Sequence, residues 1–235
     1  MIHIRQLDRL TCSRCGGYMA TSEYEGCSYS SCLITSDPVA AIADIAAVAN
    51  PRHLSKSNEH FTPLNVVEAA RHTMDAIDLD PATTKNANEK RVMAQSFYTK
   101  DDDGLSKSWG GRIFLNPPGG RAVGNKSSQK IWWQKLIEEW SRLGGVSQAI
   151  FVSFSIELFQ TSQADRIGQL PLEFPFCIPS RRIAYDKEFD DGYKTGESPP
   201  HASAIIYLPE SIGAVKRFER AFENIGHVCV PRNWA

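Results

Sequence analysis

What this sequence has little of narrows it first. No apolar run approaches the roughly 20 residues that cross a bilayer; the most apolar stretch, Val39 to Ala49, is short and carries Asp44. The start of the chain, MIHIRQLDRLTC, has no basic segment followed by an apolar one, so nothing marks it for secretion and a cytoplasmic location is expected. Neither sign of charge is in excess, with 26 Lys and Arg against 27 Asp and Glu for a formal net charge of -1. That balance argues against non-specific coating of nucleic acid, yet leaves room for an enzyme with a local basic face. Glycine-rich phosphate loops of the GxGxxG or Walker type are missing, so a bound cofactor need not carry a pyrophosphate. There is no internal repeat and no long low-complexity tract.

What is present is an ordinary globular composition: 235 residues, 42% hydrophobic and 23% charged. At about 150 residues per domain, this length suits one sizeable α/β domain plus a small appendage. The six cysteines are unevenly spread, with Cys12, Cys15, Cys27 and Cys32 near the start and only Cys177 and Cys229 elsewhere, in apolar runs that read as core. In a reducing compartment such clustering favours metal over disulfides. Residues 1–36 therefore read as a loop-rich module in which those four thiolates are candidate ligands for a structural zinc. Residues 37–57 read as a helix and linker, with Asp37 as N-cap, Pro38 in the first turn and a stop at Asn50-Pro51. His60, His72 and His201 show no ligand spacing.

Residues 58–235 alternate helical patterns with short apolar runs. Thr62-Pro63 opens a helix with Leu64, Val67 and Met74 on its apolar side, and another helix is predicted through Asn86 to Arg91. Trp133, Leu136, Ile137 and Trp140 mark a third, stopped at Gly144-Gly145, and a last one is predicted from Ser211 through Phe218, Phe222 and Ile225 to Gly226. Strands are predicted in Ala76 to Asp80, Val92 to Tyr98, Gly111 to Leu115, Gln148 to Phe154, Phe174 to Tyr185, Ala202 to Leu208 and His227 to Val230. Seven strands with interleaved helices imply a doubly wound, Rossmann-like α/β sheet.

Two constellations fall at predicted strand ends, where open α/β sheets bind ligands. One is Asn116-Pro117-Pro118. The lone pair of an exocyclic or amide nitrogen is delocalised and weakly nucleophilic, and two fixed acceptors, the Asn116 side-chain oxygen and the Pro117 carbonyl, would draw it toward tetrahedral geometry. Prolines suit the task because they restrict φ and bring no N–H donor. The same tripeptide also suits a simple strand end. The other constellation is Asp78-Leu79-Asp80-Pro81-Ala82 with Asn86-Ala87-Asn88. Its carboxylates are placed to take ribose hydroxyls or an amino group, with Asp103 in the following acidic turn facing an adenine amine. Helix capping and a solvated turn are the plainer readings of these aspartates.

The order Thr62-Pro63, Ile77 to Ala82, Asn86-Ala87-Asn88, Asp103-Gly104-Leu105 with Trp109, and a strand ending in Asn116-Pro117-Pro118 resembles the phage-type Dam family of DNA N6-adenine methyltransferases. The resemblance continues through PLEFPFCIPSRRIAYD and SPPHASAIIYLP, covering most of residues 58–209. It implies an S-adenosylmethionine-dependent enzyme acting on DNA. The cofactor would be held by Thr62, Pro63, Asp78, Asp80, Pro81, Ala82, Asn86, Asn88 and Asp103, and Asn116, Pro117 and Pro118 would hold the target amine.

One departure stands out. The family motif often continues with an aromatic that stacks on a flipped-out base, whereas Gly119-Gly120 follow here. Stacking is worth about 1–3 kcal/mol per base, so another ring must supply it or the substrate differs. Trp132, Trp133 and Tyr185 are the candidates, with core packing the plainer role for the tryptophans. Arg121, Lys126 and Lys130 lie in a stretch without acidic residues, and Arg181-Arg182 precede Tyr185, so these are the candidate DNA contacts. The open alternatives are the same chemistry on cytosine N4, RNA adenine or a glutamine amide, and a catalytically inactive nucleic-acid-binding module.

Overall fold

The computed structural model describes residues 19–24, 27–32, 61–119, 128–165, 168–189, 192–195 and 201–235. The chain divides into two compact units, Met1–Lys56 and Ser57–Ala235. In the first, β1 (Met19–Tyr24) and β2 (Cys27–Cys32) form an antiparallel hairpin. Periodicity predicts no strand in this Ser- and Tyr-rich run, because backbone hydrogen bonds carry the pairing and the polar residues show no apolar alternation. Cys12, Cys15 and the helix predicted from Asp37 lie outside the described residues.

The second unit is built on a seven-stranded sheet. Its strands are β3 (Leu79–Asp80), β4 (Ser96–Phe97), β5 (Gly111–Leu115), β6 (Val146–Ser153), β7 (Phe176–Pro179), β10 (Ala204–Leu208) and β11 (Gly226–Cys229). All seven predicted strands are in this one sheet. A separate hairpin, β8 (Asp186–Phe189) with β9 (Gly192–Thr195), is additional. The spatial order is β4-β3-β5-β6-β10-β7-β11. The first four are mutually parallel, and the pairs β6/β10, β10/β7 and β7/β11 are antiparallel. The result is a mixed α/β fold, parallel through its centre and compatible with the Rossmann-like expectation.

Alternation along the central strands sorts the core into two layers, as expected for a sheet covered on both faces. Phe114, Ile150, Val152, Ile205 and Tyr207 pack with α1 (Leu64–Met74) and α5 (Ile212–Phe222). The intervening residues Ile113, Leu115, Ala149, Phe151, Ala204 and Ile206 pack with α3 (Ser128–Ser141) and α4 (Glu157–Asp165). Trp133 anchors the second layer, fully buried and edge-on to Phe151 and Phe174.

Several predicted details change. Leu64 is 48% exposed, because Val66, Val67, Ala69, Ala70 and Met74 form the buried side of α1. The helix predicted at Asn86 to Arg91 is a short α2 (Lys85–Ala87) running into a π-helical turn, Asn88–Val92. Ser211 stands at the N-cap of α5 without a side-chain capping bond, and α5 ends at Phe222. Gly226 opens β11 instead, where a Cβ would collide with the Ile178 carbonyl. Among the described residues, no helix is long and apolar enough to cross a membrane.

Candidate functional site

From β3 the chain moves outward to β4 and then returns to β5 on the other side of β3. Such a reversal opens a crevice outside the carboxyl ends of the two parallel strands, the usual ligand position in open α/β sheets. Asp80 ends β3 and Asn116 directly follows β5. Leu79 pairs with Ile113; with strands about 4.8 Å apart and a rise of about 3.3 Å per residue, the Asp80 and Asn116 backbones lie about 8 Å apart. Leu79 and Ile113 face the α3/α4 layer, so Asp80 and, by alternation, Asn116 share the α1/α5 side. Thr62, which leads into α1, belongs to that side too.

Asp80 is the unusual group. It is 2% exposed and accepts a hydrogen bond from the Ala82 amide at 3.1 Å and another from the Thr83 hydroxyl. No cationic side chain pairs with it among the described residues. Burial pushes its carboxyl up to about 7, the response of a carboxylate removed from water without a counter-charge. The Thr62 hydroxyl is also buried and has no hydrogen-bond partner among the described residues. A buried acceptor lacking positive charge and a buried hydroxyl lacking a partner are both satisfied by a polar, cationic ligand. The donor set therefore fits S-adenosylmethionine, with its amine, sulfonium and ribose hydroxyls.

The remaining predicted cofactor residues separate. Pro81, buried, and Ala82, half-buried, form the turn around Asp80. Pro63 caps α1 through its carbonyl, which accepts from the Val66 and Val67 amides. Asp78 is occupied elsewhere: its carboxylate takes both the Arg112 backbone amide and a two-pronged guanidinium contact at 2.8 and 2.9 Å. Those hydrogen bonds hold Asp78 below the usual carboxylate range. Arg112 also reaches the Met74 carbonyl at the end of α1, so this pair braces the sheet edge away from Asn116. Asn88 is buried and clamps its own turn, exchanging side-chain hydrogen bonds with the Ala94 backbone. Asn86 is half-buried in α2.

Asp103 lies in an exposed turn with φ 52. Its neighbour Gly104 explains the glycine, since a Cβ there would collide with the Pro81 carbonyl. The buried Trp109 indole donates to the Gly104 carbonyl at 2.8 Å and stacks on Trp132. The Asp103-Gly104-Leu105 and Trp109 motif thus docks the acidic turn against the Asp80-Pro81 corner.

Asn116 and Gly119 are half-exposed, Pro117 is buried and Pro118 is exposed. Behind them lies a buried polar network that sequence reading missed, because Ser128 and Gln129 continue a polar run without pattern. Ser128 at the start of α3 donates to the Pro118 carbonyl. Gln129 donates to the Ser155 carbonyl at 3.2 Å and accepts from Ser153 at 2.9 Å, and Ser153 also reaches the Ser155 carbonyl. The first turn of α3 therefore ties the end of β5 to the end of β6.

Trp132, Trp133 and Tyr185 are 8%, 0% and 2% exposed, so none offers an open ring face to a base. Tyr185 lies near Ser203, hydroxyl to hydroxyl at 3.4 Å, and burial pushes its phenol up to about 12. Arg181 and Arg182 are exposed beyond β7, and Lys130 is half-buried in α3. Because β7 runs antiparallel to β10 and β10 to β6, the end of β7 lies on the sheet edge where β5 and β6 end. Arg121 and Lys126 are outside the described residues.

Of the four candidate zinc ligands, Cys12 and Cys15 lie outside the described residues, and Cys27 and Cys32 belong to the hairpin. Cys27 pairs with Tyr24 and Cys32 with Met19, so the two stand at opposite ends of β2, about 17 Å apart at the strand rise. No cluster of His, Cys, Asp or Glu that could hold a metal occurs among the described residues. No protein-family model matches the chain, and no curated protein matches it.

Proposed function

We propose that this protein transfers a methyl group from S-adenosylmethionine to the N6 amino group of adenine in DNA. One observation carries the reading. A buried carboxylate without a counter-charge among the described residues, Asp80, and the acceptor-rich Asn116-Pro117-Pro118 corner flank the strand reversal on the same side of the sheet. When bound, the cofactor supplies an electrophilic methyl on a sulfonium, and the chain supplies the positioning.

Asp80 meets the positive charge and hydroxyls of the cofactor, and Thr62 gains the partner its hydroxyl lacks. The Asn116 side-chain oxygen and the Pro117 carbonyl accept the two N–H bonds of the target amine, turning its lone pair out of the ring plane. Prolines at 117 and 118 bring no N–H donor of their own to those acceptors. Fixed acceptors of this kind favour the transition state because they need no reorganisation when charge develops on the nitrogen. Arg181 and Arg182, on the same edge, are suited to DNA phosphates, as are Lys130, Arg121 and Lys126 by their charge.

The ring-free Gly119 favours a second reading, in which the same acceptors serve another planar nitrogen: cytosine N4, RNA adenine or a glutamine amide. A nucleic-acid-binding module without activity is the reading to which a failed transfer would point. Incubating the protein with labelled S-adenosylmethionine and unmethylated DNA, RNA or protein, then identifying the product by mass spectrometry, separates these. N6-methyladenine in DNA is expected. Label confined to protein would contradict the proposal. Asn116→Ala is expected to bind the cofactor within about twofold of wild type while losing about 100-fold or more of transfer rate, the scale of removing one preorganised transition-state contact.

A further inference from the structure

We infer that Phe154 supplies the aromatic surface that Gly119 withholds, and that the acceptor is therefore a flat heterocyclic base rather than an aliphatic amide. The inference rests on the methyl-transfer reading of this site and assigns it a substrate class.

Phe154 follows directly after β6, the strand beside β5, on the edge where Asn116-Pro117-Pro118 emerge. Leu115 pairs with Phe151, so three further residues on each strand bring Phe154 level with Pro118. Ile150 and Val152 face the α1/α5 layer, and continuing that alternation puts Phe154 on the same side as Asp80 and Asn116. It is half-exposed. Phe151, Phe159, Phe174, Phe176, Phe218 and Phe222 all make ring contacts, whereas Phe154 makes none among the described residues and belongs to neither core cluster.

The backbone on both sides of it is pinned. Ser153 is fully buried and Ser155 is 3% exposed. Their bonds to each other and to Gln129 fix the corner, and the Ile156 amide donates to the Ala202 carbonyl. The Ser128 bond to Pro118 holds the facing wall from the same helix turn. A half-exposed ring on a backbone pinned this firmly, on the strand next to the one that ends in the two amine acceptors, matches a π-face, and an amide side chain has none to offer it.

The test uses the full chain saturated with S-adenosylhomocysteine and two single-stranded oligodeoxynucleotides, one with adenine and one with an abasic site at a single position. Wild type is expected to prefer adenine, with the aromatic contributing about 5- to 150-fold of that preference, the range of one base–aromatic stack. Phe154→Ala and Phe154→Leu are expected to lose that contribution while holding S-adenosylhomocysteine as tightly as wild type; Phe154→Trp is expected to keep it. The leucine separates stacking from apolar bulk. A wild-type protein without preference, or Phe154→Ala or Phe154→Leu with the full wild-type preference, overturns the inference. If wild type methylates DNA and Phe154→Ala does so with unchanged KM, this assignment alone fails. If label from S-adenosylmethionine enters only protein, the parent reading fails with it.

Discussion

Asp78 and Asp80 are two residues apart on one edge of the same chain segment, yet they do opposite things. Asp78 is partly exposed and gripped by Arg112, which lowers its pKa. Asp80 is buried without a cation among the described residues, and burial pushes its carboxyl up to about 7. The first carboxylate has its counter-charge within the fold, and the second has hydrogen bonds from Ala82 and Thr83 but no counter-charge among the described residues. A carboxylate already paired to a guanidinium stabilises structure, and a carboxylate desolvated without a partner costs stability and gains it back on binding a cation. Under the proposed methyl-transfer function, that difference assigns Asp80 rather than Asp78 to the cofactor.

The largest way to break that contrast is Asp80→Asn. The amide keeps the contact with Ala82 and loses the charge, so S-adenosylmethionine affinity is expected to fall about 10- to 100-fold, the scale of a charged hydrogen bond. The same variant is expected to be more stable than wild type at pH 8, by roughly 1–4 kcal/mol in urea unfolding, because it removes the cost of ionising a carboxyl with a raised pKa. Asp78→Asn is expected to cost stability and spare affinity. It leaves Arg112 short of its partner and is expected to destabilise by about 1–2 kcal/mol, discounted for partial exposure, while cofactor affinity stays within about twofold.

pH sharpens the contrast further. Asp80 is protonated more readily folded than unfolded, so its contribution makes stability fall as pH rises from about 4 toward 7. Asp78, with a lowered folded pKa, stabilises above the unfolded carboxylate pKa and loses that contribution as pH falls through its folded value. Unfolding curves of the two Asn variants across pH 3–8 separate the opposing slopes. The smallest expected effect is Gly104→Ala: forcing a methyl against the Pro81 carbonyl displaces the Asp80 turn and is expected to weaken cofactor binding about tenfold or less while Asp78 keeps its pair. Equal loss of stability and no loss of affinity would disconnect that turn from the site.

Legibility followed the range of the interaction. Strand β5 is predicted and found over Gly111–Leu115, because an apolar run is bounded by glycine on one side and Asn-Pro on the other. The strand predicted over Ala76 to Asp80 is assigned only as Leu79–Asp80, although the Ile77 and Asp78 carbonyls still accept from Gln95 and Ser96. The carboxyl-edge position of Asp80 and Asn116 was readable from local pattern. The occupation of Asp78 was not, since Arg112 lies 34 residues away. Asn88 reads like a ligand residue but is spent on Ala94. Phe154 reads as the end of a buried run, and only the turn after β6 exposes it.

Titration of S-adenosylmethionine into the wild-type protein and Asp80→Asn at pH 5.5 and 7.5 tests the role of Asp80 most directly. Wild type is predicted to bind about tenfold more tightly at pH 7.5, releasing a proton at the lower pH as the buried carboxyl ionises against the ligand. Asp80→Asn is predicted to bind weakly and equally at both. Wild-type affinity that is independent of pH and unchanged by Asp80→Asn would contradict the account.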